Sequence, residues 1–156
     1  MFRDLTRKNK QITDAECIEV LTRETRGILA VNGDEGYPYA MPMNHFYHAE
    51  DGCIYFHCGR GGHREESLLR SDKVSVCERG TRAAEEWAYS VRSVIVFGRI
   101  EIIDDTDTVI RIARALSRKF TDDEAYIQGE IDSFASKTLL LRLTPAHMCG
   151  KLVKEA

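Results

Sequence analysis

No Cys-x-x-Cys pair occurs in this chain, although it holds five cysteines, at positions 17, 53, 58, 77 and 149. The number is odd, and the N-terminus lacks the apolar core of a secretory leader. Both argue for reduced thiols over a disulfide framework. Most are expected to be buried small hydrophobes, such as Cys17 in a helix and Cys77 in a strand. No stretch approaches the ~20 apolar residues of a membrane span. An excess of positive charge is absent too. The net charge of −3 removes the electrostatic case for nucleic acid or an anionic membrane. The basic opening MFRDLTRKNKQ is one short run and does not reverse this. No Rossmann glycine fingerprint is present, so any nicotinamide donor would bind only transiently. Repeats, linkers and low-complexity segments are missing as well. The expectation is a cytoplasmic protein with a small-molecule substrate.

What is present suits one globular domain. At 156 residues the chain can bury a real core, and 43% hydrophobic with 30% charged residues is ordinary. Thr13 and Glu16 form a capping box, so a helix runs to about Thr25, with Gly27 as its stop. Ile28 to Val31 is a short strand, and residues 32–36 a tight turn. Tyr37 to His48 is a second strand, which Pro38 and Pro42 confine to edge or irregular positions. Lys73 to Glu78 is a fourth strand, and Arg79 to Glu86 a polar loop. Tyr89 to Asp104 is a long central strand with a bulge or bend at Gly98. Val109, Ile112, Ala113, Leu116 and Phe120 follow helical spacing, and a weaker helix covers Asp122 to Phe134. Lys137 to Thr144 is the last strand, ended by Pro145. Six strands with few helices between them exclude a doubly wound sheet. A closed or partly split antiparallel barrel with peripheral helices fits better.

The third strand opens the stretch that bears on function. In Cys53–Ser71, Ile54, Phe56 and Cys58 alternate with Cys53, Tyr55 and His57, and the strand stops at Gly59. Gly61 and Gly62 follow, and Arg64 to Leu69 reads as a short helix. Strand, glycine loop and helix start offer free backbone N–H groups to an anion. His63 and Arg64 add side-chain donors, and an arginine grips phosphate with two parallel bonds. The same residues read equally as a solvated turn, since glycine-rich loops are common turn material. Cys58 is either a thiol made reactive by Arg60 or Arg64, or a half-buried strand cysteine. The spacing of His57, Cys58 and His63 matches no standard zinc pattern, even with His147 and Cys149 added, so no metal is expected. Trp87 and Tyr89 are packing anchors, or aromatics that cover a ring from a partner subunit.

Five segments in order, MFRDLTRKNKQ, GYPYAMPMN, IYFHCGRGGHR, YSVRSVIVFGRIEI and HMCGK, together resemble the Nim-type nitroimidazole-resistance proteins. These belong to the flavin proteins similar to pyridoxamine 5'-phosphate oxidase. The resemblance implies a six-stranded antiparallel split β-barrel, a homodimer, and flavin mononucleotide (FMN) at the dimer interface. It implies reduction of nitro compounds or related acceptors by a flavin-dependent oxidoreductase. Pro42, Met43 and Asn44 would then lie along the flavin ring edge. His57 and Cys58 would flank the ribityl phosphate, and Gly62, His63 and Arg64 would form its loop. Arg92 and Ser93 would approach from the partner subunit. The family usually has lysine where Arg64 stands, and the Nim group often has serine at the position of Asn44. A non-catalytic flavin carrier, or a haem-binding protein of the same fold, is the alternative.

Overall fold

The structure is a computed structural model. It describes residues 1–84 and 88–155, with the side chains of 81–84, 88, 89 and 155 left outside the description. The sequence-predicted role of Trp87, and that of the Tyr89 ring, therefore fall outside the described residues. Among the described residues, strands β1 (Arg26–Asn32), β2 (Pro38–His48), β3 (Cys53–Gly59), β4 (Lys73–Ala84), β5 (Ala88–Ile103) and β6 (Thr138–Glu155) form one closed antiparallel barrel. Its order is β1-β2-β3-β6-β5-β4. Helices α1 (Asp14–Arg23), α2 (His63–Arg70), α3 (Thr106–Ser117) and α4 (Glu124–Phe134) lie around it. The expected fold class is borne out. No helix among the described residues is long and apolar enough to cross a membrane.

Alternation along the strands fills the barrel. Leu139, Leu141 and Leu143 point inward against Ile54 and Phe56, all fully buried. A fully buried side chain of this kind contributes roughly 1.5–3 kcal/mol. The opposite face of β3 and β6 is apolar as well. There Cys53, Tyr55 and Leu140 pack under Val109 and Ile112 of α3.

The helices start where their caps stand. The Thr13 hydroxyl accepts from the Glu16 N–H at 3.3 Å, and the Glu16 carboxylate accepts from the Thr13 N–H at 2.9 Å. Asp105 caps α3 and Asp123 caps α4 in the same sense.

Several expectations need correction. Helix α1 ends at Arg23, and Gly27 does not stop it. Gly27 sits within β1, where a Cβ would collide with the carboxyl of Glu78. The segment Arg79–Ala84 is no loop but the continuation of β4, paired residue for residue with β5. Cross-strand pairing overrides its polar composition. Pro145 does not end β6. It pairs opposite Gly98, with Ala146 as the extra residue of a bulge, and the strand runs on to Glu155. The bend expected at Gly98 is therefore real, and it absorbs the proline.

β2 is flanked by β1 and β3, yet its pairing with β3 covers only His45–His48. Pro42 thus falls on the stretch with a neighbour on one side alone, where a missing N–H costs nothing. Phe120 lies beyond α3 and is exposed. Cys17 is buried as expected, but Cys77 is exposed. Val74, Val76 and Glu78 take the inward positions of β4, which leaves Cys77 facing out.

Candidate functional site

Where β2 loses its contact with β3, the end of β3 and the start of α2 stand opposite the first half of β2. This is the split in the barrel. Gly61 and Gly62 carry φ of 79° and 82°, the left-handed region that favours glycine. They turn the chain so that the Gly61 N–H and the start of α2 face outward together. The Gly61 N–H donates to the carboxylate of Glu65, so the loop already holds an anion from its own chain.

Arg64 folds back over the split. One guanidinium nitrogen donates to the Gly59 carbonyl at 3.3 Å, and the other rests 4.0 Å from the Met41 sulfur. Its Nε is buried and has no hydrogen-bond partner. His63 stacks on Tyr39, with ring centroids 4.2 Å apart, and its Nε2 lies 3.2 Å from Asp34. Asp34 also accepts from Arg70 at 2.7 Å. The loop is thereby tied to the turn before β2.

The predicted residues divide into four groups. Cys58, Gly62, His63 and Arg64 come together at this loop, beside β2. On β2, Pro42 is exposed, Met43 points into the barrel core, and Asn44 is half-buried, accepting from Arg26 Nε at 3.1 Å.

His57 stands apart from Cys58, because neighbours on a strand point to opposite faces. Cys58 packs inward, its thiol facing the Leu139 carbonyl at 3.9 Å. Burial pushes that thiol up, and the nearby Arg64 guanidinium does not reverse it. His57 faces a cleft beside α3 and α4 that Cys58 and Gly59 also border. Burial there holds its imidazole below the usual range.

Arg92 and Ser93 are not brought to the loop within one chain. Arg92 pairs with Leu152 of β6, fourteen residues beyond Thr138, which pairs with Gly59. At ~3.3 Å per residue that is on the order of 40 Å along the strand. The Arg92 guanidinium lies 3.4 Å from both Glu16 and Glu19 of α1.

Sequence reasoning missed Asp34, Tyr39, Met41 and Glu65 at this site. Asp34 and Tyr39 read as turn and sheet residues. Only Glu65 left a local signal, as an acid in the first turn of a helix opening on glycines.

The donor set fits a phosphate. Two positive-φ glycines, a helix start, an arginine with an unmet Nε, and a carboxylate already seated on the loop N–H all favour an anion there. Among the described residues no group of three or more His, Cys, Asp and Glu side chains is placed to hold a metal ion.

A sequence profile of the family described as Pyridoxamine 5'-phosphate oxidase matches residues 13–152. The chain belongs to that family. Solved structures resemble it throughout. A proposed 5-nitroimidazole antibiotic resistance protein from Bacteroides thetaiotaomicron is 23% identical, with a TM-score of 0.77 over 93% of this chain and 87% of that one. An FAD-binding protein from Mesorhizobium loti is 22% identical, with a TM-score of 0.66 over 92% and 97%. The flavocytochrome Anf3 from Azotobacter vinelandii is 17% identical, with a TM-score of 0.74 over 97% and 72%. At these identities the likeness is one of fold. No protein among curated sequences matches.

Proposed function

We propose that this chain is a flavoprotein that holds a flavin phosphate on Gly61, Gly62, His63 and Arg64, and the ring along Pro42–Asn44. The observation that carries the reading is the loop at the end of β3. Its N–H already takes a carboxylate, while the buried Arg64 Nε has no partner. Met41, beside the Arg64 guanidinium, and Tyr39, stacked on His63, give the ring an apolar neighbourhood beside the split.

A second copy of the chain completes the site. β1, β4, β5 and β6 present an outward row, Ile28, Cys77, Ile95 and Cys149, with Phe97 in the next row. Ile28 is 42% exposed, Ile95 38% and Phe97 36%, an apolar surface suited to a partner copy. A homodimer through this face supplies Arg92 and Ser93 from the second copy.

The activity that fits is reduction of nitro compounds or related acceptors, as in the Nim-type proteins, within the cytoplasm. A flavin bound there would supply reversible electron transfer between a reduced donor, such as a nicotinamide, and the acceptor. The chain's own task is to bind, orient and shield the ring. Asn44, held by Arg26, offers a fixed amide near the ring edge.

The test is the absorption spectrum of the purified protein, with release and identification of its chromophore. A flavin spectrum, bleached by NADH or NADPH and restored by a nitro compound, is the expected result. A haem spectrum, or no chromophore and no flavin binding, overturns the reading.

A further inference from the structure

His45 is clamped where the end of α1, the turn after α3 and β4 all meet β2. Its N–H donates to the Thr25 carbonyl at 3.3 Å, and its carbonyl accepts from the Lys119 ammonium at 3.2 Å. Its buried ring lies between the Leu21 carbonyl, 2.8 Å from Nε2, and Glu78 Oε1, 3.0 Å from Nδ1. Leu21 is in the last turn of α1, where carbonyls lack a helical partner, so His45 caps that helix. Arg26 follows Thr25 and Asn44 precedes His45, and these two outer side chains meet at 3.1 Å. A shift of His45 against α1 is therefore passed to the Arg26–Asn44 contact through one peptide on each strand.

We infer that Glu78 and His45 are positioning residues for Asn44, and that the proton on Glu78 decides which tautomer of His45 holds it. The inference rests on the flavin reading above, in which Asn44 meets the ring edge. A neutral imidazole has one N–H. With that hydrogen on Nε2 and the carboxyl ionised, both Glu78 oxygens and His45 Nδ1 are buried without a donor. With the carboxyl protonated, its O–H donates to Nδ1 while the ring N–H donates to Leu21. Both ring contacts are then satisfied at the distances observed.

Loss of the carboxyl proton to solvent leaves two acceptors facing one N–H. The carboxylate is the stronger, since a hydrogen bond to an ion is about twice as strong as a neutral one. The ring therefore exchanges its hydrogen on Nε2 for one on Nδ1. The bare Nε2 then faces the Leu21 carbonyl, lone pair against lone pair, and the end of α1 has to part from His45. Burial holds the carboxyl proton up to about pH 8, with Lys119 favouring the ionised form and Glu24 opposing it. Burial, with Lys119 beside it, also keeps the imidazole from taking a second proton above about pH 4.

The test follows the imidazole nitrogens and the Asn44 side-chain amide by NMR in flavin-free protein, from about pH 6.5 to about pH 9. Riboflavin is titrated at both ends of the range, and Glu78→Gln is the comparison. Wild type should pass from the Nε2–H to the Nδ1–H tautomer, the Asn44 amide signal should move with it, and riboflavin affinity should fall about threefold or more. Glu78→Gln should keep the Nε2–H tautomer and a constant affinity, because its amide donates to Nδ1 at every pH. One tautomer throughout in wild type, or the same change in Glu78→Gln, overturns the inference. So does a tautomer change that leaves the Asn44 signal or the riboflavin affinity unmoved. The wild-type titration decides the tautomer even if the variant does not fold. Failure of riboflavin and FMN to bind at any pH overturns the flavin reading instead, and the NMR signals still judge the tautomer change and its coupling to Asn44.

Discussion

Glu78 Oε1 stands 3.0 Å from His45 Nδ1, and both side chains are shut off from water. On its other side, His45 Nε2 meets the Leu21 carbonyl at 2.8 Å, so Nε2 carries the hydrogen and Nδ1 is free to accept. The Lys119 ammonium donates to the Glu24 and His45 carbonyls beside the pair. Burial pushes the carboxyl up to about 8 and the imidazole down to about 4, the imidazole further disfavoured as a cation by Lys119. The folded pair therefore keeps one proton between its members from about pH 4 to about pH 8.

Stability is expected to fall as pH rises from about 6.5 to about 8. In the unfolded chain the two groups have lost both protons above roughly pH 6.5, at their ordinary values. The folded pair still holds one, so it binds more protons than the unfolded chain, and each rise in pH favours unfolding. Between about pH 4.5 and 6.5 both states hold one proton, and this source contributes no slope. Over the upper window the loss is on the order of 2 kcal/mol. Urea melts at pH 6, 7 and 8 check it, with Glu78→Gln as the control. If that variant keeps the wild-type slope, the proton lies elsewhere.

Arg64→Ala is expected to weaken FMN about ten- to a hundredfold and riboflavin far less, because only FMN carries the phosphate. Arg64→Lys should fall between, keeping the charge and losing the fork. Titration of apoprotein with both flavins measures this. Equal losses for the two would remove Arg64 from the phosphate.

Glu65→Gln should raise the affinity for FMN. The Glu65 carboxylate occupies the Gly61 N–H, and it must leave for a phosphate oxygen to enter. Removing its charge lessens both competition and repulsion, a gain of roughly three- to tenfold. Riboflavin affinity should not change. A loss of FMN affinity would mean that Glu65 supports the loop conformation and does not compete with the ligand.

Ile95→Lys should convert a dimer to monomers while the barrel stays folded. Ile95 is 38% exposed between Cys77 and Cys149 on the apolar row, so the lysine has solvent in the single chain and puts an unpaired charge into the apolar contact of a pair. Light scattering reads the mass, and circular dichroism the fold. A wild-type mass of one chain with flavin bound would show that no partner is needed.

Several local features were readable from residue types. The Thr13–Glu16 box, the alternation of Leu139, Leu141 and Leu143, the bend at Gly98 and the glycines at 61 and 62 each act over a few residues. Their physics is complete within one turn or one strand. The glycine turn into the start of α2 belongs to the same class. So does the choice of a barrel, which follows from many strands and few crossovers.

Register and closure decided the rest. Only the pairing of β4 with β1 and β5 shows that Glu78 points inward onto Gly27 and His45, while Cys77 faces out. Asp34 meets His63, and Tyr39 stacks on it, because β2 leaves β3 at His45 and the loop swings into the gap. His57 and Cys58, adjacent in sequence, turn their side chains apart, Cys58 onto the barrel core and His57 toward the cleft under α3 and α4, because a strand sends neighbours to opposite faces. Such contacts join residues dozens of positions apart. A one-residue slip in register would exchange them, and a linear pattern holds no record of which register the closed barrel selects.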